Sequence, residues 1–265
     1  LRESYEILFF MLTVYFGVRI SINDKLSIPC IFLMVISALI MGSFHSALLV
    51  YAAFLIVLFL VWSFRPISRL GNIKKLQLIS LVVVPVSLIY LLVVASKGLA
   101  ELGLLGELLN YNNEKLTWHI INFREASMQT FSRATYGVNF DGSSLFAMIC
   151  SSLNIYIHYL FTPFPWQVNN FTDIYAFFEA FSRMILIIFA LSGWWRAVGS
   201  QKRMLGLMLI LYFTMTFLWA TGTTNYGTAI RHNMTTWWIL VVVGVPSLME
   251  VLNRCKVYFI SSRLS

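Results

Sequence analysis

An all-α bundle of membrane-spanning helices is the fold class that the 265-residue sequence predicts, and three observations carry that expectation. Hydrophobic residues make up 59% of the chain and charged residues only 11%, less than half the charged share of an ordinary soluble domain. Apolar runs recur along the chain with lengths near the ~20 residues that a helix needs to cross a ~30 Å hydrocarbon core. The formal charge of +8 is collected in a few connecting segments rather than spread over faces. This composition excludes disorder, a coiled coil and a secreted disulfide scaffold. The three cysteines, Cys30, Cys150 and Cys255, lie far apart without metal-ligand spacing and read as packing residues.

The elements follow in order. Spans are expected at Tyr5 to Val18, Ile28 to Met41, Ser46 to Phe64, Leu78 to Ala95, Ile174 to Leu191, Leu205 to Thr221 and Thr235 to Leu252, about seven in all. The turn Gly42-Ser43-Phe44-His45 is short enough to fold the second and third into an antiparallel pair. Three loops or tails are basic: Arg65, Arg69, Lys74 and Lys75; Arg196, Lys202 and Arg203; and Arg254, Lys256 and Arg263. By the positive-inside rule they face the cytoplasm. With Arg19 and Lys25 this face holds twelve cations against two acids, a net +10, and the opposite face six cations against eight acids, a net −2. The overall +8 therefore reads as topology, with no nucleic-acid partner implied.

That orientation puts both ends of the stretch from Ser96 to Asp173 outside, so the apolar run Leu145 to Phe161 is expected to be a re-entrant or interfacial helix. Ser143 and Ser144 are its candidate N-caps after the Asp141-Gly142 turn, and Pro163 to Pro165 ends it. Upstream, Leu116, Ile120, Phe123, Ser127 and Phe131 form one helical stripe, as in an amphipathic helix at the outer surface. The expected organisation is an N-terminal bundle at 1–95, an extracytoplasmic region at 96–173 and a C-terminal bundle at 174–265. A start at Leu1, without an initiator Met or a signal-peptide pattern, suits the later portion of a longer chain.

Candidate chemistry concentrates outside. The last outside loop, Thr221 to Asn233, ends in Ile230-Arg231-His232 before the final span. Gly222 and Gly227 permit close backbone approach, Asn225 and Thr228 supply neutral hydrogen-bonding groups, and Arg231 can grip an anionic group bidentately. A phosphate at headgroup depth suits this loop, and an arginine snorkelling to lipid phosphates is the structural alternative. His232 adds an imidazole that titrates near neutral pH. Arg124 and Arg133, nine residues apart, are candidates to complete a cationic clamp on a diphosphate. Asp141 and Glu125 are the carboxylates placed to act as a general base toward a sugar hydroxyl. Trp166 and Gln167, in the PFPW turn and just after it, offer an aromatic face and an amide to a sugar. Glu179 and Arg183 stand four apart in one span, so they share a face and either pair with each other or line a substrate groove. Walker, GxSxG, HExxH and Cys/His metal motifs are lacking, so nucleotide, serine-hydrolase and zinc chemistry have no support.

The run Asn225-Tyr226-Gly227-Thr228-Ala229-Ile230-Arg231-His232, with PFPW about sixty residues earlier, resembles the O-antigen and capsular polysaccharide polymerase-like proteins of the bacterial inner membrane. The resemblance covers about the C-terminal two thirds of the chain. It implies transfer of a glycan from undecaprenyl diphosphate to another lipid-linked repeat unit on the periplasmic side, with an outside-loop arginine binding the diphosphate, a role that falls on Arg231. Polymerase, ligase and single-sugar transferase share this chemistry. No cofactor or metal is expected, since fixed guanidinium groups supply the electrostatics. The implied partners are the lipid-linked glycan, membrane lipids and polysaccharide assembly proteins. A flippase for the same lipids, with Glu179 and Arg183 along its path, and an accessory subunit of an assembly complex are the alternatives.

Overall fold

The computed structural model describes residues 2–22, 27–62, 124–125, 134–141 and 143–264. Among them are seven α-helices and no β-strand: α1 (Arg2–Ile22), α2 (Ile28–Phe44), α3 (Ser46–Trp62), α4 (Leu145–Phe161), α5 (Phe171–Arg196), α6 (Gly199–Gly222) and α7 (Tyr226–Leu264). The all-helical class is therefore as expected. Helices α1, α5, α6 and α7 are long and apolar enough to cross a membrane. By contrast, α2, α3 and α4 have 17 residues each, at the short edge of the range for a crossing. Among the described residues four helices thus qualify as spans by length and composition, against about seven expected over the whole chain. The span expected at 78–95 and the amphipathic stripe at 116–131 fall mostly or wholly outside the described residues.

The chain divides into two compact units, Leu1–Leu116 and Thr117–Ser265. The described residues of the stretch 96–173, from Arg124 onward, lie in the second unit.

In the first unit α1, α2 and α3 pack on one another through Phe10, Val14, Met34, Ala38, Leu55 and Phe59, all buried. Gly17 is the point of closest approach, because a Cβ there would run into the Phe59 ring. A single residue, His45, separates α2 from α3. Its carbonyl accepts from the Leu48 and Leu49 amides, and its Nδ1 accepts from the Ala47 amide at 3.2 Å, so it caps α3 and keeps the hairpin tight.

In the second unit the caps explain the boundaries. Ser144 Oγ accepts from the Ala147 amide at 3.1 Å, the N-cap expected for α4. Asn170 Oδ1 accepts from the Asp173 amide at 3.0 Å and starts α5. Asn225 Oδ1 accepts from the Thr228 amide at 2.8 Å and starts α7. Helix α7 crosses α5 at Gly244, where a Cβ would sit 2.7 Å from the Leu186 carbonyl. Of the cysteines, Cys30 is buried as expected, but Cys150 is exposed on α4 and is not a packing residue.

One end of this unit gathers the end of α4, the start of α5 and the α6–α7 turn. The Tyr226 hydroxyl donates to Asp173 Oδ1 at 2.5 Å, joining the first turns of α7 and α5. Thr135 pairs with Asn225 in an isolated antiparallel bridge, through Tyr136 N to Thr224 O and Tyr226 N to Ala134 O, both 3.1 Å. The chain leaves this end after Val138, passes Asp141, whose carbonyl accepts from Ser151 Oγ, and returns through α4 to His158, whose ring lies 6.1 Å from Tyr136. The other end of the unit is basic: Arg196 and Arg254 both reach Glu250, at 3.2 and 2.5 Å, and Lys202 lies over the Trp194 ring.

Candidate functional site at the α6–α7 turn

The turn between α6 and α7 is tighter than its composition suggested. Thr221 to Asn233 was expected as loop, but α6 runs through Gly222 and α7 begins at Tyr226. Asn225 caps the new helix, so Gly227 and Thr228 lie in its first turn. Arg231 and His232 therefore stand on α7, where consecutive residues diverge by about 100°. Arg231 is exposed and His232 half-buried.

His232 is held firmly. Its ring stacks on Trp219 of α6, with centroids 4.1 Å apart and planes 21° from parallel. Its Nδ1 lies 3.0 Å from Thr223 Oγ1. That hydroxyl donates its only proton to the Trp219 carbonyl at 2.7 Å, so in the contact with His232 it accepts. Neutral His232 consequently carries its proton on Nδ1, and its lone pair on Nε2. A ring with fixed tautomer and fixed plane is what a general base needs.

Arg124 lies on the inner side of the same turn. It is 1% exposed, and its Nη1 donates to the carbonyls of Ala220, Thr221 and Thr223 at 3.3, 3.1 and 3.3 Å, while Nη2 donates to the Val138 carbonyl at 2.9 Å. The last carbonyls of a helix lack intrahelical partners and carry partial negative charge, so a guanidinium there satisfies them and opposes the dipole. Burial lowers the affinity of Arg124 for its proton. The neighbouring Tyr136 phenol, pushed well above its ordinary range by burial, stays protonated and donates to the Thr223 carbonyl at 2.9 Å. In place of the expected diphosphate clamp, Arg124 fastens the turn that positions His232. Glu125 beside it is exposed, and Arg133 lies outside the described residues.

Other expected residues are placed as follows. Asp141 is exposed, and the Ser143 amide at 2.9 Å holds its carboxyl below the usual range, which makes it a weaker base than an ordinary aspartate. Trp166 is 77% exposed with its indole stacked on Phe164 at 5.0 Å, a face open to a ligand or to lipid. Gln167 Oε1 accepts from the Phe164 amide at 2.9 Å and closes the 3-10 turn Pro165–Gln167.

Glu179 and Arg183 form a second cluster, deeper along α5. Arg183 Nη2 lies 2.5 Å from Glu179 Oε2, and Trp237 Nε1 of α7 donates to Glu179 Oε1 at 2.7 Å. Both carboxylate oxygens are thus engaged, as the pairing alternative expected.

Sequence reasoning did not single out Asp173, Tyr136 or Trp237, each of which fixes a partner here. For Asp173 the Asn-x-x-Asp spacing at 170–173 was a usable capping signal. The aromatics carried none, because interfacial belts use the same residue types. Compared with known proteins, the chain finds no match among family models, curated proteins or solved structures.

Proposed function

We propose that the chain is a membrane glycosyltransferase acting on polyprenyl diphosphate-linked oligosaccharides, foremost a repeat-unit polymerase of surface polysaccharide in the bacterial inner membrane. The observation that supports it best is the first two turns of α7: an exposed arginine next to an imidazole whose tautomer is set for accepting a proton. The positive end of the α7 dipole adds to the pull on an anion there. In the reaction, an acceptor sugar hydroxyl attacks the anomeric carbon of the lipid-linked glycan. The new C–O bond forms as the bond from that carbon to the diphosphate oxygen breaks. His232 Nε2 takes the hydroxyl proton, and Arg231 stabilises the charge left on the diphosphate. Arg231 thereby serves the transition state more than the bound substrate. By the positive-inside reading this end faces outward, with the C-terminus in the cytoplasm.

Arg231→Ala should abolish polymer while leaving the protein in the membrane at wild-type level. Glycan chain lengths unchanged in that variant contradict the proposal. A flippase for the same lipids is the second reading, favoured only by the buried Glu179–Arg183 pair. It requires that neutralising this pair, and not Arg231, stops export.

A further inference from the structure

The end of the second unit where α5 passes into α6 is built differently from the end that holds Arg231. Only Ala197 and Val198 separate the two helices. Trp194 of α5 lies against Gly206 of α6, where a Cβ would come 3.0 Å from the indole Nε1. Lys202 Nζ stands over the Trp194 and Trp195 rings, 5.4 and 5.9 Å from their centroids. A cation held on an aromatic face keeps its charge while its stem covers the ring. Glu250 of α7 reaches Arg196 with one oxygen and Arg254 with the other, so a single carboxylate gathers two guanidiniums. Arg203 follows Lys202 and is exposed. Among the described residues neither Lys202 nor Arg203 pairs with a carboxylate. Four cations against one acid leave a net +3 in this cluster.

An apolar stripe runs along α5 into the cluster. Ile188, Leu191 and Trp195, spaced three and four residues apart, share one face of the helix and are all exposed. Val198, just past the helix end, is exposed as well, and Trp195 brings the stripe into contact with Lys202. From Ile188 to Val198 the chain rises about 15 Å, half of a ~30 Å hydrocarbon core and so the depth of one leaflet. The three helices that carry the cluster, α5, α6 and α7, are each long and apolar enough to cross a membrane. Cations at the end of a leaflet-deep apolar stripe complement one molecule with a negative head and an apolar tail. A nucleic acid or an acidic soluble peptide would meet the cations and leave the stripe uncovered. A zwitterionic lipid would cover the stripe and leave the surplus charge unanswered.

We infer that the α5–α6 turn is a binding site for an anionic phospholipid. Its phosphate lies among Lys202, Arg203 and the Arg196–Arg254 pair, and one acyl chain runs along Ile188, Leu191 and Trp195. Glu250 is a positioning residue that holds the two arginines at the edge of the site. This inference is independent of the transferase reading, since it concerns the other end of the unit and requires no lipid-linked glycan.

The test is native mass spectrometry of the full chain released from nanodiscs containing equal parts of dioleoyl phosphatidylglycerol and dioleoyl phosphatidylcholine. Wild-type protein should retain the glycerol lipid about tenfold over the choline lipid, as two or three surface cations allow. Lys202→Gln combined with Arg203→Gln should bring the ratio to within about twofold of one at an unchanged melting temperature. Lys202→Arg combined with Arg203→Lys, which keeps both charges, should preserve the preference. Arg19→Gln, which removes an exposed cation of the first unit, should leave it unchanged. Excess inorganic phosphate should not release the lipid, because the stripe holds its chain. Equal retention of both lipids by wild type, or a ratio unchanged in the Lys202/Arg203 glutamine variant, overturns the site. An equal loss in the Arg19 variant replaces it with diffuse surface charge, and release by phosphate replaces it with a bare anion site.

Discussion

The two compact units are made of similar apolar helices and differ in what they bury. Among the described residues the first unit hides one charged side chain, Glu6, which takes a 3.1 Å bond from half-exposed Arg2 one turn away. Its other buried groups are the rings and aliphatic chains of α1 to α3, with Thr13 bonding back to the Phe9 carbonyl. The second unit hides Arg124, Asp173 and Arg183 outright and nearly hides Glu179. Arg124 is tied to the end of α6, Asp173 to the start of α7, and Arg183 to Glu179, which Trp237 of α7 also grips. Buried charge is expensive and is kept where it fixes geometry or meets a ligand. The first unit therefore reads as scaffold and the second as the working part.

Removing one charge at a time from the second unit breaks this contrast most severely. Arg183→Met strands the Glu179 carboxylate and should destabilise the protein by about 3–5 kcal/mol. Adding Glu179→Leu should recover most of that loss, because the pair then leaves together. Thermal unfolding of both variants in the same detergent checks it. If the double variant stays as unstable as the single one, the pair is not the unit of cost.

A smaller effect is expected at the α6–α7 turn. Arg124→Ala removes a donor from four carbonyls, of which Thr223 keeps Tyr136 and Ala220 keeps the Thr223 amide, and should cost about 2–3 kcal/mol, with polymer synthesis falling further than stability because the Thr223 and His232 geometry relaxes. Arg124→Lys should recover only part, since an ammonium is a point charge and lacks the planar fork that reaches four acceptors. Activity that tracks stability in all three proteins would make Arg124 a stability residue only.

The smallest effect belongs to the first unit. Gly17→Ala forces Phe59 to move and should cost about 1–2 kcal/mol in overpacking. Turnover per folded molecule should be unchanged. A turnover loss at Gly17 that matches the one at Arg124 erases the division of labour between the units.

Much of this was legible in the residues. Leu145–Phe161 emerges with the expected bounds because an Asp-Gly turn, two serines and a proline-rich stop mark both ends with local chemistry. The α6–α7 turn was misread for the opposite reason. Glycines and threonines favour loops, yet one asparagine cap and the packing of Tyr226 on Asp173 suffice to begin a helix there. Three of the four partners of Arg124 lie 96 to 99 residues ahead and the fourth 14 ahead, all as backbone carbonyls, and backbone acceptors leave no trace in a sequence. Trp237 was equally hidden, since an indole that bonds a buried carboxylate and one that faces lipid are the same letter.

The most direct measurement is made on purified chain in bilayers supplied with a polyprenyl diphosphate-linked repeat unit, with products resolved by size. Wild-type protein is expected to give a ladder, Arg231→Ala none, and His232→Gln a rate at least tenfold lower. A ladder from Arg231→Ala equal to that of wild type, or no ladder from wild type itself, contradicts the assignment of transfer chemistry to the start of α7.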